Sequence, residues 1–160
     1  MNEEAVLAPL KLDLPYMFGR SRYFCHHRGW AGVFNTLCRN IDAVLGTDKR
    51  AFRWTTVKEK YGSARFYFEL DHLREFMVDL HQCSRVVSLR MGGSQDADDE
   101  VRNSIIRLIN EAQRATETRC AVCAAVGHVT RQAAWLICVC EMHYQISADC
   151  IREASYLLEI

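Results

Sequence analysis

Two short pairs of metal-binding side chains constrain this chain more than any other feature. They are Cys120-Ala-Val-Cys123 and Cys140-Glu-Met-His143, with sixteen residues between them. Two soft ligands two residues apart can hold one side of a metal ion, and a second pair brought back by a hairpin completes a tetrahedron. Four S/N ligands with no open position describe a structural Zn²⁺ site. The expectation is therefore one structural zinc ion bound by Cys120, Cys123, Cys140 and His143. Cys138 is a rival ligand: two residues before Cys140, it shares that residue's face if both lie on a strand. It could replace Cys140 or His143. Cys25, Cys38, Cys83 and Cys150 read as core residues, a common fate of free cysteine. The chain opens Met-Asn-Glu-Glu, with neither a basic nor an apolar leader. A cytoplasmic setting follows as an expectation, and there thiolates and metal are favoured over disulfides.

The residues around the ligands suggest how they are presented. Ala124 to Val139 has the length of a β-hairpin, with Gly127 suited to its turn and Val129 and Trp135-Leu136-Ile137 as strand residues. After Cys140, Ile146, Cys150, Ile151, Ala154 and Leu158 recur at helical spacing. Knuckle, hairpin, then ligands at the start of a helix is the order of a treble-clef zinc finger.

The remaining chain reads as a mixture of helix and strand. At 160 residues and 49% hydrophobic it can build one core with a small appendix. No apolar run approaches the roughly 20 residues that span a bilayer. Residues 1 to about 24, with Pro9 and Pro15, show no sustained period and read as irregular. Trp30, Val33, Phe34, Leu37, Cys38, Ile41, Val44 and Leu45 mark one face of a helix over 30–45, stopped by Gly46. Phe52 to Val57 and Ala64 to Leu70 alternate as strands, joined by Lys58-Glu59-Lys60-Tyr61-Gly62-Ser63. Ala64, Phe66, Phe68 and Leu70 share one face, with Arg65 and Tyr67 projecting from the other. Leu73, Phe76, Met77, Leu80 and Val87 suggest a helix over 72–90. After the Met91-Gly92-Gly93-Ser94-Gln95 break, Asp96 is a plausible N-cap, and Val101, Ile105, Leu108, Ile109 and Ala112 stripe a helix over 97–117. The expected architecture is α+β. A helical domain with a β-hairpin covers 1–118, and a treble-clef-like zinc module over 119–160 packs on it.

Net charge is zero, so the molecule is not a general polycation. The charge is nevertheless uneven: Arg20 to Arg65 holds ten cations against three acids, and Phe66 to Thr118 holds ten acids against six arginines. Two of the four lysines, Lys58 and Lys60, crowd one hairpin. With Arg65 and Tyr67 they form a basic, aromatic face that can hold a phosphate, a nucleic-acid backbone or an acidic protein surface. The competing reading is a solvated turn with an internal Lys-Glu-Arg cluster. Cys25-His26-His27 could be a second metal site or a catalytic pair, but lacks a partner at ligand spacing. His-Asn-His nucleases also use treble clefs, yet no Asp-His or His-His pair precedes His128 at hairpin spacing. Glu59-Lys60 lacks the spacer of the Glu-x-Lys nuclease motif. No phosphate loop or Ser-His-Asp order occurs.

The run Lys58, Glu59, Lys60, Tyr61, Gly62, with Arg65, Phe66 and Tyr67 after it, followed downstream by Cys120, Cys123, Trp135, Cys140 and His143, resembles a family of uncharacterised small phage and prophage proteins. The resemblance spans about 29–145. It departs at Ala124, where Gly is usual after the knuckle, and at Ala64, where a larger residue is usual. It implies a mobile-element setting, in the host cytoplasm, and brings no activity. The favoured expectation is a non-enzymatic, zinc-stabilised binding protein that engages a host protein or nucleoprotein complex through Lys58, Lys60, Arg65 and Tyr67, as an anti-defence or regulatory inhibitor. The alternatives are a sequence-tolerant nucleic-acid binder using the basic 20–65 surface and, last, a His-Asn-His-type metal nuclease.

Overall fold

The computed structural model describes residues 4–19, 23–24, 27–82, 85–92, 100–132 and 135–145. Helices and strands are mixed, as an α+β architecture requires. Helices α1 (Glu4–Asp13), α2 (Ala31–Leu45), α3 (Glu100–Thr116) and α4 (Glu141–Tyr144) accompany strands β1 (Tyr23–Phe24), β2 (Arg53–Lys60), β3 (Ser63–Leu70), β4 (Leu73–Gln82), β5 (Arg85–Gly92), β6 (His128–Gln132) and β7 (Trp135–Val139). Strands β1 to β5 form one sheet in that order, and β6 and β7 form a second.

The β2–β3 hairpin is the centre of the body. Tyr61 and Gly62 form its two-residue turn, at φ of 55° and 83°, the left-handed pair that matches strand twist. Lys58, Glu59 and Lys60 are therefore strand residues, not part of a longer connection. Register shifts between Trp54 and Thr56, so Thr55 is an extra residue in β2. Strict alternation from Phe52 would turn Val57 outward. The bulge resets the phase, so Phe52, Trp54 and Val57 are all buried. It also turns Lys58 and Lys60 away from the core.

The core-facing phase of β3 is the expected one: Ala64, Phe66, Phe68 and Leu70 are buried. Phe66 stacks on Phe34 of α2, with ring centroids 5.6 Å apart, and Phe52 stacks on Phe68 at 5.5 Å. Helix α2 ends at Gly46, whose φ of 62° suits glycine and whose N–H donates to Asp42 O. Helix α3 lies along β3. Ala64 N–H donates to Thr116 Oγ1 at 2.9 Å, and Phe66 N–H to Gln113 Oε1 at 3.5 Å. These side chains, one helical turn apart, cover strand donors that an open edge would leave exposed.

Two expectations fail here. Residues 72–90 are not a helix: β4 and β5 pair antiparallel from Glu75↔Gly92 to Gln82↔Arg85. Asp71 and His72, at φ of 51° and 66°, form a second tight turn that sends the chain straight back along β3. Apolar residues at 73, 76, 77 and 80 fit helical spacing, but the turn and the β-branched Val78, Val86 and Val87 favour strands. The N-terminal stretch is not irregular either. Helix α1 contains Pro9, and Leu10, Leu14 and Met17 behind it are buried at one-turn spacing. Asp13 pairs with Arg39 at 2.8 Å, and Tyr16 donates to Asp42 at 2.7 Å, fastening this segment to α2. Asp96 and the helical pattern from Ile146 onward lie outside the described residues.

Candidate metal centre

The chain reaches the ligands from the C-terminal end of α3. It folds back at once, with Cys120 N–H donating to Ala125 O at 2.8 Å and Ala124 N–H to Cys120 O at 3.0 Å. This knuckle needs a left-handed residue, and Ala124 supplies it at φ of 64°. β6 and β7 then return the chain, with His128 opposite Val139. Pairing runs from His128↔Val139 to Gln132↔Trp135, so Gly127 precedes the hairpin and does not form its turn. Gly127 is instead pressed on β7: a Cβ there would lie 2.7 Å from the Val139 carbonyl carbon and oxygen. Cys140 is the extended residue before α4, and His143 and Tyr144 both donate backbone N–H to its carbonyl.

This path brings Cys120, Cys123, Cys140 and His143 together, with their ligand atoms all within 4.8 Å of one another. Cys123 Sγ and Cys140 Sγ are 3.7 Å apart, and His143 Nδ1 lies 3.5 Å from Cys120 Sγ and 3.1 Å from Cys140 Sγ. A tetrahedral ion with bonds of about 2.3 Å to sulfur and about 2.0 Å to nitrogen sets its ligands roughly 3.5–3.8 Å apart. The four residues thus fit a metal ion. Cys120 and Cys140 are buried, while Cys123 is exposed.

The thiols are tuned by their surroundings. Burial opposes ionisation of Cys140, but hydrogen bonds from His143, Cys120 and Cys123 outweigh it and bring its pKa down to about 6. Cys123 is exposed as a residue, but partial desolvation of its thiol, with hydrogen bonds to Cys120 and Cys140, pushes it up to about 11. Cys138 does not join them. Its strand ends before Cys140, so the two do not share a face, and its Sγ donates to Glu117 O at 3.2 Å. Burial raises it to about 12, the state of an inert core thiol.

Contacts between the ligand segment and the body are specific. Gly29 N–H donates to Ala121 O at 2.6 Å, and Trp30 Nε1 to Arg119 O at 2.8 Å. A Cβ on Gly29 would lie 2.0 Å from Cys120 O, so only glycine admits the knuckle there. Glu59 bridges the two sheets: Oε1 accepts from Gly62 N–H at 2.7 Å, and Oε2 accepts from Trp135 Nε1 at 2.9 Å. Gly62 abuts Val129 of β6, whose Cγ1 would be 2.7 Å from an added Cβ. The Lys-Glu-Lys-Tyr-Gly run and Trp135 therefore meet in space. His27 is buried, its ring 4.8 Å from that of Trp30 and 5.9 Å from that of Trp135. Cys25 and His26 lie outside the described residues.

The other candidate residues sit on the opposite face of the β2–β3 hairpin. Cross-strand pairs there are Lys60↔Ser63, Lys58↔Arg65, Thr56↔Tyr67 and Arg53↔Glu69. Lys58 Nζ lies 5.2 Å from the Tyr67 ring centroid, and Lys60 Nζ lies 5.1 Å from that of Tyr61. Arg65 does not project freely: it is 8% exposed, with Nη1 donating to Ser63 Oγ and Ala64 O. Sequence reasoning missed the bridging role of Glu59. Its one signal was an acid at alternation with Val57, hidden by the bulge.

Among the described residues, no helix is long and apolar enough to cross a membrane. Compared with known proteins, the chain matches no family model, no curated protein and no solved structure.

Proposed function

We propose that this chain is a non-enzymatic binding protein whose C-terminal segment is a treble-clef-like module built on one structural zinc ion. Three thiolates and an imidazole are a soft, tetrahedral donor set suited to Zn²⁺, and four protein ligands leave no open position for catalysis. The order of knuckle, β6–β7 hairpin and ligands flanking α4 supports the treble-clef reading. The module's work is to hold the last part of the chain against the body.

The function itself is carried by the outer face of β2–β3, which Lys58, Lys60 and Tyr67 share with the buried Arg65. The observation that supports it most is that these groups turn away from the core while Glu59 turns in to clamp Trp135. Tyrosine is among the side chains that dominate contact energetics, and the lysines beside it add positive charge. The partner is a host protein or nucleoprotein complex, and the setting suggested by the resemblance is a phage-type inhibitor or anti-defence factor. The excess of cations on this face favours, as a second reading, direct contact with nucleic acid.

Affinity capture from a bacterial lysate, with and without nuclease, tests this. A partner held by the wild type and released by Lys58→Ala, Lys60→Ala and Tyr67→Ala together supports the reading. Retention by a folded, zinc-loaded triple variant refutes it. Loss on nuclease treatment favours the nucleic-acid reading.

A further inference from the structure

The outer face of β2–β3 carries charge that its own acids do not balance. Lys58 and Arg65 stand directly opposite one another across the two strands, a position where like charges repel. Arg65 is buried, its Nη1 is bonded only to the neutral oxygens of Ser63 and Ala64, and its Nε has no hydrogen-bond partner. Glu69, the acid on this face, is held by Arg53 at 2.8 Å. Glu59, next to Lys58 in the chain, points to the other side, where Gly62 and Trp135 occupy its oxygens. Among the described residues, no carboxylate forms an ion pair with Lys58 or Arg65. The Tyr67 ring steadies the Lys58 ammonium on the same face.

We propose that Lys58 and Arg65 form a binding site for a phosphate group. A buried guanidinium without a counter-charge is costly, and an anion offsets that cost. Arg65 keeps its Nε–H without a partner for an oxyanion to take, and Lys58 stands at the register position facing it on the neighbouring strand. Two cations match the roughly −1.5 to −2 charge of a phosphate monoester better than the single charge of a carboxylate. The inference rests on the reading of this face as the contact surface, and names the group that the partner presents to it. The charge match favours the monoester of a phosphorylated side chain over the singly charged diester of a nucleic-acid backbone.

The test is titration of the full-length, metal-loaded protein with inorganic phosphate at constant ionic strength, followed by NMR at Lys58, Arg65 and Tyr67. Saturable shifts are expected, with acetate binding at least about 10-fold more weakly. Lys58→Gln should weaken phosphate binding at least about 10-fold without unfolding the protein. Arg65→Lys, which keeps the charge and loses the Nε–H, should weaken it as well. Arg65→Gln can fail to fold, so the Lys58 variant carries the test. Absence of saturable shifts, equal affinity for phosphate and acetate, or an unaffected Lys58→Gln overturns the site. Tighter binding of phosphoserine than of an oligothymidylate assigns the monoester. The reverse order, with a steep salt dependence, assigns the backbone. If phosphate binding is lost in Lys58→Gln while partner capture survives there and in the triple variant, the contact-face reading fails and the phosphate site stands. If the wild type ignores phosphate while Lys60→Ala and Tyr67→Ala release the partner, the site fails and the contact face stands.

Discussion

Strands β2 and β3 bury Trp54, Val57, Phe66 and Phe68 almost completely, and Phe34 of α2 stacks against them. Strands β6 and β7 are also an antiparallel pair, yet they bury only Ile137, Cys138 and Val139, while Val129 on β6 stays 39% exposed. Each large apolar side chain buried is worth about 1.5–3 kcal/mol, so the first hairpin has the larger driving force of its own. The second lies beside the four candidate ligands and meets the body where Gly62 leaves no room for a Cβ against Val129. Two hairpins can thus look alike in topology while one carries a large aromatic core and the other lies beside a candidate metal site.

The largest test of this contrast is metal removal. Structural zinc contributes apparent free energies on the order of 10–16 kcal/mol near pH 7. Chelation, or Cys120→Ser with Cys123→Ser, should abolish metal binding and leave amides of 119–145 unprotected in hydrogen exchange, with β2 and β3 still protected. Protection lost equally in both hairpins would erase the distinction. Cys138→Ser should keep one metal per chain, because its thiol is bonded to Glu117 O rather than to the ligand set.

Next comes the seam between the regions. Gly29→Ala places a Cβ against the Cys120 carbonyl and should cost on the order of 3 kcal/mol in denaturant unfolding. Gly32→Ala, one turn along in open space, should be neutral or stabilising by about 0.5–1 kcal/mol. Similar costs for the two would mean that the knuckle yields. Trp135→Phe removes the donor to Glu59 and should cost about 2 kcal/mol, the scale of a hydrogen bond to a charged group.

Acid should separate the regions too. Metal ligands must be deprotonated, so the metal is released as pH falls and the C-terminal segment loses order first. In the body, hydrogen bonds from Lys49 and Tyr16 hold Asp42 below the usual carboxylate range. Its contribution is present above that range and is lost as pH falls through the lowered value. Asp42→Asn should flatten only this lower step of a thermal-stability profile, leaving metal release unchanged. The smallest effect is expected at Ala124. Glycine relieves its left-handed strain, so Ala124→Gly should stabilise the holo protein by up to about 1 kcal/mol, read from its Tm.

The legible parts of the fold were those written in a single local pattern. The stripe of α2, a hairpin with Gly62 in its turn, the inward phase of Phe66 and Phe68, and the four clustered ligands all depend on near neighbours. The stretch 73–90 was misread because its apolar spacing satisfies a helix, while the decision lay in a turn at Asp71-His72 with no glycine to announce it. The N-terminal helix was hidden by Pro9, which argues against a helix unless, as here, packing on α2 holds it.

By itself, then, the sequence determined that four soft candidate ligands come in two short pairs and that one hairpin has an aromatic core, because ligand chemistry and period-two burial are properties of residue type and short spacing. Only the tertiary structure decided which cysteine is excluded, that Glu59 clamps Trp135, and that Arg65 is buried opposite Lys58. Each of these turns on a one-residue change of phase, at the Thr55 bulge or at the end of β7, and such a shift reverses which way every following side chain points.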